Sequence, residues 1–179
     1  MDRVDALLSA TGRSTRGSVH PWPRIESALG TELPADYKRL CEAFGVGEFS
    51  EAVSVLCADG TLVGDLLTVW RGLLAEDGGG GVEGGGQGGA LFPPHRIHAP
   101  GTTGGLIPWA TVRAGDVYFW QVIGGPVDAW PFVASMEDAE ATRRYEMTAT
   151  EFLHRVLTDP GFRPWSVAGA VPDPFFEEA

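Results

Sequence analysis

The fold of this chain is decided by the stretch Leu33-Pro34-Ala35-Asp36-Tyr37-Lys38-Arg39-Leu40-Cys41-Glu42-Ala43-Phe44-Gly45. Four of its apolar residues recur at the i, i+3, i+4 and i+7 positions that line one face of a helix, namely Tyr37, Leu40, Cys41 and Phe44. Pro34 suits the first turn of such a helix, and Gly45 stands where a left-handed C-terminal cap is needed. The stretch therefore predicts an amphipathic helix that ends at Gly45.

Further helices are predicted on both sides of this stretch. Residues 1–10 have helical spacing, and a second helical pattern runs from Trp22-Pro23 to Gly30, so helices follow one another in the N-terminal part. Helical spacing returns at residues 66–74. The closing helix begins at Thr148, which has capping-box spacing with Glu151. Its apolar face consists of Phe152, Leu153, Val156 and Leu157.

Between the helices, β-branched and aromatic runs predict an antiparallel sheet. A hairpin is expected from a strand at 53–56, the turn Asp59-Gly60 and a strand at 61–63. Further strands are expected at 106–109, 117–123 and 130–133, and one more around Tyr145 and Met147. The order indicates an α+β single domain, with an N-terminal helix pair and a C-terminal helix packed on a twisted, mainly antiparallel sheet.

The chain divides into one domain and two flanking segments. A length of 179 residues with 44% hydrophobic residues fits about one domain. We assign 1–21 to an N-terminal extension, 22–157 to the domain and 158–179 to a Pro-rich C-terminal tail that lies extended on the domain or frays. Nine of the twelve residues from 78 to 89 are glycine. They predict a flexible insertion, because little apolar surface offsets the entropy of ordering it.

The balance of charge favours some partners and disfavours others. Lys and Arg number 13 against 24 Asp and Glu, which gives a formal net charge of −11. Such a chain repels phosphate backbones and anionic lipid, which argues against nucleic-acid and membrane binding. Its negative charge speeds association with a basic protein, and added salt lowers that association rate. An acidic excess that serves only solubility is the alternative interpretation.

Cysteine usage and the N-terminus bear on the cellular compartment. Cys41 and Cys57 are too few for a disulfide scaffold or a cysteine-based zinc site, so we expect buried thiols. The stretch Met1-Asp2-Arg3-Val4-Asp5 does not open a signal peptide. No run approaches the roughly 18 apolar residues that a membrane span needs. We therefore expect a cytoplasmic protein without a membrane span.

Candidate catalytic and metal-binding residues do not assemble into a local motif. The histidines are His20, His95, His98 and His154. Prolines around His95 and His98 prevent a shared helical face, so these two are expected to be polar loop residues rather than metal ligands. No Gly-x-Ser-x-Gly elbow occurs, and neighbouring acids such as Glu177-Glu178 are interpreted as solvated charge. We expect no enzyme activity, metal or cofactor, although a carboxylate pair assembled by folding leaves no local signature.

Acidic and aromatic residues near the predicted hairpin are the candidates for partner binding. The chain has six tryptophans, a residue type enriched at binding hot spots. Four residues lie away from the predicted apolar stripes and are selected here: Glu48, Glu51, Asp65 and Trp70. Charge reversal at Glu48 and Glu51 is expected to slow association with a basic partner.

A series of short motifs runs in order through residues 22–157. It consists of Ile25-Glu26-Ser27-Ala28-Leu29-Gly30, Leu33-Pro34-Ala35-Asp36-Tyr37-Lys38, Phe44-Gly45, Ile107-Pro108-Trp109, Gly115-Asp116, Tyr118, Trp120, Trp130-Pro131 and Glu151-Phe152-Leu153. In this order the motifs resemble the SUKH superfamily, whose best-known branch is the Smi/Knr cell-wall-regulator-like family. The glycine-rich insertion and the Pro-rich tail depart from the compact family pattern.

The resemblance implies a domain that binds other proteins and catalyses no reaction. Many bacterial members are immunity proteins that neutralise a cognate toxin, and others are scaffolds or regulators in cell-wall signalling. We therefore expect an immunity protein that binds a cationic toxin domain directly. A regulatory or scaffolding module without toxin inhibition is the alternative, and an enzyme with carboxylates brought together by folding is a third. The oligomeric state is left open.

Overall fold

The structure of the chain, a computed structural model, describes residues 2–57, 64–78, 91–112, 115–135, 142–165, 167 and 173–179. These residues contain five α-helices and seven strands. The helices are α1 (Arg3–Ala10), α2 (Trp22–Leu29), α3 (Ala35–Phe44), α4 (Leu66–Gly78) and α5 (Ala149–Thr158). The strands are β1 (Gly47–Phe49), β2 (Val53–Val55), β3 (Leu106–Val112), β4 (Val117–Gln121), β5 (Phe132–Ser135), β6 (Thr142–Tyr145) and β7 (Phe176–Glu178).

The seven strands form one open antiparallel sheet in the order β6-β5-β4-β3-β2-β1-β7. β1 and β2 are joined by a tight turn in which Ser50 and Glu51 have φ angles of 50° and 53°. β2 and β3 pair although α4 separates them in the chain. The predicted α+β single domain with a mainly antiparallel sheet is confirmed.

Helices α1, α2, α3 and α5 lie on one face of the sheet and bury an aromatic core against it. The ring centroid of Tyr37 on α3 lies 4.6 Å from that of Trp120 on β4 and 5.9 Å from that of Trp22 on α2. Phe152 on α5 lies 4.8 Å from Phe132 on β5. These rings meet edge to face, the geometry that aromatic quadrupoles favour. The predicted apolar stripe of α3 is therefore the side that packs on the sheet.

The ends of α2 and α3 and the start of α5 lie where the sequence predicts them. Gly30 after α2 and Gly45 after α3 have φ angles of 73° and 77°, a region that favours glycine. The side chain of Thr148 accepts a hydrogen bond from the backbone N–H of Glu151, so the predicted cap of α5 is present. Asp36 in the first turn of α3 accepts a hydrogen bond of 2.6 Å from the hydroxyl of Thr150, which ties α3 to α5.

The opposite face of the sheet is partly covered by the segment 91–98. Phe119 and Trp120 are adjacent on β4 and point to opposite faces. The ring of Phe119 lies 4.8 Å from that of Phe92, so this segment packs on the face away from α3. The carboxylate of Asp77, near the end of α4, accepts two backbone N–H groups of the chain that follows, at 3.0 and 2.8 Å. The end of α4 thus holds the segment in place.

The C-terminal tail contributes the edge strand of the sheet. β7 pairs with β1, and Phe176 is 5% exposed, with its ring 5.0 Å from Phe44 and 4.8 Å from Phe49. The backbone N–H of Ser50 donates to the carbonyl of Phe175 at 2.9 Å. A tail that lies extended on the domain or frays was expected here rather than a strand, because a strand of three residues carries no detectable periodicity.

The N-terminal segment 1–21 packs on the same core. α1 contacts both α3 and α5, and Val4 and Leu7 of α1 are 2% and 0% exposed. The chain after α1 runs beside the end of α3, where the N–H of Arg16 donates to the carbonyl of Ala43. Residues on both sides of the assigned domain, 22–157, therefore contribute to one hydrophobic core.

The strands predicted at 106–109, 117–123 and 130–133 overlap β3, β4 and β5, and Tyr145 lies in β6 as expected, whereas Met147 lies outside it. β2 occupies the predicted strand 53–56 but pairs with β1 and β3, and β1 was not predicted. The turn Asp59-Gly60 and the strand 61–63 lie outside the described residues, as do residues 79–89 of the glycine-rich stretch. In the described part of the chain, no helix has the length and apolar character needed to cross a membrane.

Candidate partner-binding groove

A groove of about 480 Å³ lies beside β7, β1 and β2, on the face of the sheet away from α3. Phe49 on β1 faces α3, so its neighbour Glu48 points to the opposite face and into this groove. Val69 on α4 and the buried Leu56 also line it and supply apolar surface. We call this feature the acidic groove. It is bounded by a sheet edge and one helix.

The polar side of the acidic groove is a single row of side chains across four strands. Glu177 on β7 stands opposite Glu48 on β1, Glu48 opposite Ser54 on β2, and Ser54 opposite Thr111 on β3. All four residues line the groove. Directly opposed residues in antiparallel strands have Cβ atoms about 4.5–5.5 Å apart. Two carboxylates therefore stand side by side, followed by two hydroxyls.

The two carboxylates of this row are not neutralised by the described part of the chain. Glu48 is half-buried and Glu177 is exposed, and neither has a hydrogen bond or an ion pair there. The neighbouring Glu178 lies on the other side of β7, where it pairs with Arg13 and Arg16. Side chains alternate along a strand, so the two acids of the tail have different surroundings. Glu178 also borders the groove, but Glu177 is the one that stands opposite Glu48 in the row.

Two of the four predicted binding residues lie on the surface near this groove. Glu48 lines it, and Glu51 is exposed at the turn between β1 and β2. Both therefore remain candidates for contact with a partner. From the region selected in the sequence, the described residues Ser54, Gly64 and Val69 also line the groove.

The other two predicted binding residues are buried, and the expectation that they lie on the surface is wrong. Asp65 is 8% exposed and caps α4 by accepting hydrogen bonds from the backbone N–H and the hydroxyl of Thr68, at 2.8 and 2.7 Å. Trp70 is 4% exposed, and its indole N–H donates to the carbonyl of His98 at 2.9 Å. Each side chain has a structural partner that accounts for its position.

Glu177 is the groove residue that sequence reasoning missed. It was interpreted with Glu178 as solvated charge, because sequence neighbours on a helix or strand do not face each other. Its pairing with β1, about 130 residues away in the chain, leaves no local signal. The only local signal is the change from apolar to acidic residues at Phe175-Phe176-Glu177-Glu178. That pattern is too short to separate a strand from a frayed end.

His98 has a structural position in the fold. His98 is 1% exposed, and its Nδ1 and Nε2 lie 2.7 and 3.2 Å from the carbonyl oxygens of Gly104 and Leu29. It lies in a loop, as the sequence predicts, and there it is a buried anchor between two segments. Within the described ranges, no group of three or more His, Cys, Asp or Glu residues is arranged to hold a metal ion.

The predicted burial of both cysteines is confirmed. Cys41 and Cys57 are buried and unpaired. Burial raises the pKa of the Cys41 thiol well above its usual value, and nearby Cys57 adds to the effect. Burial also raises the pKa of Tyr37, whose hydroxyl donates to the carbonyl of Leu56. A thiol held neutral in this way is a poor nucleophile and serves packing.

The acidic groove combines acidic and apolar surface. Glu177 is exposed to water, and Glu48 is half-buried. Two carboxylates next to hydroxyls and an apolar wall offer a complementary surface to a cationic group that carries an alkyl chain.

Comparison of the chain with protein-family models, with curated proteins and with solved structures found no significant match. The resemblance to the SUKH superfamily therefore stays a prediction that rests on the order of its motifs.

Proposed function

We propose that this protein is a non-catalytic binding domain that neutralises a cationic toxin by direct contact, as an immunity protein does. The observation that carries the proposal is the pair Glu48 and Glu177, which stand side by side in an open groove without a cation in the described part of the chain. The net charge of −11 supports it, because it draws a basic protein toward the surface. The motifs that resemble the SUKH superfamily point to the same class of function.

The groove supports a protein partner because it combines charge with apolar surface. Complementary charge speeds the encounter of two proteins, and desolvated apolar contacts then slow their dissociation. Glu51 at the β1–β2 turn extends the acidic surface next to the groove. A protein–protein interface of ordinary size covers about 800 Å² on each partner and therefore extends beyond the groove. The groove forms the centre of this interface, and the surrounding strand edge forms its rim.

Affinity capture followed by a growth assay tests the proposal. The tagged full chain is used as bait in its native host at low and at moderate salt, and the captured proteins are identified. Each captured protein is then expressed alone and together with this chain. We expect a cationic protein that arrests growth when expressed alone and is tolerated when this chain is present.

Charge reversal identifies the surface that binds the captured protein. Glu48→Lys and Glu177→Lys place cations in the groove, and Glu32→Lys between α2 and α3 is the control with the same change in net charge. At low salt, association should slow by on the order of tenfold for the groove variants and much less for the control. Equal effects of all three variants would remove the groove from the interface.

Other outcomes contradict the proposed function itself. Stoichiometric binding of a partner without growth rescue would favour the regulatory or scaffolding module. Turnover of a substrate that is lost in both Glu48→Gln and Glu177→Gln would favour an enzyme with a carboxylate pair. A captured set without any toxic protein would remove the immunity assignment.

A further inference from the structure

Glu48 on β1 and Glu177 on β7 stand directly opposite each other in the free protein. Like charges placed directly opposite each other on antiparallel strands are destabilising. The arginines next to β7, Arg13 and Arg16, are engaged by Glu178 on the other side of the strand. The groove therefore presents a site where a cation from outside would turn a repulsion into two attractions.

The shape of the groove narrows the kind of cation that fits. Next to the carboxylates lies apolar surface from Val46, Leu56 and Val69. A small hydrated ion would leave this surface unused, whereas a side chain with an alkyl stem covers it while its charged head reaches the acids. The volume of about 480 Å³ admits a short extended segment of a protein that carries such a side chain.

Arginine meets these requirements better than lysine. Its planar guanidinium has five N–H donors directed in a fixed fork, so it can donate to two carboxylates at the same time. It is also more weakly hydrated than an ammonium, which lowers the cost of bringing it into a partly buried groove. Lysine offers one compact charge with three donors and leaves one of the two carboxylates less well satisfied.

We propose that the acidic groove binds an arginine side chain of the partner, with the guanidinium between the carboxylates of Glu48 and Glu177 and the alkyl stem along Val69. This inference rests on the proposed function, and it adds the chemistry that the groove recognises. The hydroxyls of Ser54 and Thr111 continue the same row and accept hydrogen bonds from the backbone of the bound segment.

Three short peptides test the inference without knowledge of the partner. They are acetyl-Gly-Arg-Gly-amide, its lysine counterpart and its citrulline counterpart, in which a neutral urea replaces the guanidinium. Each is titrated into the isotopically labelled full chain while the backbone amide resonances are followed. We expect saturable shifts at residues 48, 54 and 111 with the arginine peptide, about fivefold weaker binding of the lysine peptide and loss of binding for citrulline.

Neutral variants of the two acids link the shifts to the groove. The double variant Glu48→Gln with Glu177→Gln should weaken the arginine peptide by about tenfold or more, since charge-assisted hydrogen bonds are the strong ones. The matched control Glu32→Gln should bind it as the unmodified chain does. Equal binding of arginine and citrulline peptides, shifts away from the groove, or no loss in the double variant would overturn the inference.

The inference and the proposed function fail in different ways. A captured toxin that binds the Gln double variant as tightly as the unmodified chain overturns the arginine site and leaves the immunity function standing. Selective arginine-peptide binding without any toxic partner supports the site and removes the immunity function.

Discussion

Replacing Gly47 by alanine should detach the C-terminal strand from the sheet. A Cβ added at Gly47 would overlap the carbonyl oxygen of Glu177 and the ring of Phe176. The first of these atoms belongs to the backbone of β7 and cannot swing aside. Because β7 is an edge strand of three residues held on one side, the overlap is relieved most easily by loss of its pairing with β1.

The size of the effect follows from what β7 buries. Phe176 is 5% exposed, and full burial of a phenylalanine side chain stabilises a fold by about 1.5–3 kcal/mol. The recovered entropy of the detached segment offsets part of the loss of strand pairing. We therefore expect Gly47→Ala to lower the free energy of unfolding by about 2–3 kcal/mol. For a domain of this size, that corresponds to a fall in Tm of about 5–10 °C.

Urea denaturation and amide hydrogen exchange measure the two parts of this prediction. The amide of Ser50 donates to the carbonyl of Phe175, so its protection reports the docking of the tail directly. The control is Gly72→Ala on α4, where an added Cβ meets nothing within 4 Å and the helix gains up to about 1 kcal/mol. Unchanged stability together with an unchanged exchange rate at Ser50 would refute the close approach of β7 to Gly47.

Three further predictions concern stability. The pKa values of Cys41 and Tyr37 are raised, so the folded chain keeps protons that the unfolded chain loses above pH about 8.5 and 10. The free energy of unfolding should therefore fall with rising pH, by up to about 1.4 kcal/mol per pH unit and group. Denaturation across that pH range checks this, and a Cys41→Ala profile as steep as the original would contradict it. Asp77→Ala leaves two backbone N–H groups without their acceptor and should cost about 2–4 kcal/mol in urea denaturation, with a loss under 1 kcal/mol speaking against the observed hydrogen bonds. Thr148→Ala removes the cap of α5 and should cost about 1 kcal/mol by the same measurement, with Thr148→Ser as the variant that keeps the cap.

The elements that could be predicted from the sequence are those with local signals. The stripe of α3 and the Thr148 cap of α5 each lie within one turn or a few turns of helix, and both were found at their predicted places. The aromatic strands β3 and β4 were predicted for the same reason, because their side chains have high β propensity.

The acidic groove could be predicted only in part, because it is made by contacts between distant segments. Glu48 was selected for its charge, but its neighbour Glu177 comes from a tail without periodicity, and nothing local joins the two. Asp65 and Trp70 show the converse error. A carboxylate that caps a helix and an indole that donates to a distant carbonyl look in the sequence like exposed charge and an exposed aromatic ring.

The repulsion between Glu48 and Glu177 can be measured in the free protein by a double-mutant cycle. Opposed like charges on neighbouring strands cost roughly 0.2–1 kcal/mol, and removing either charge removes the whole repulsion. Glu48→Gln and Glu177→Gln should therefore each stabilise the chain by about 0.5 kcal/mol, and the double variant should gain no more than either single variant. The stabilisation gained by each single variant should become smaller at high salt, because Glu177 is exposed and salt screens its charge.

A second cycle with Glu48→Gln and Glu32→Gln supplies the control, since additivity is expected for residues that do not touch. Additive gains at Glu48 and Glu177 would show that the two carboxylates do not interact, and the groove would lose the feature on which its affinity for a cation depends. Non-additive gains in the free chain, combined with weaker binding of the arginine peptide in the same variants, would mean that the pair lowers the stability of the fold and serves binding. A gain in stability of the free chain and a loss of peptide binding in the same variants are expected together if the carboxylates are placed for a cation that the partner supplies.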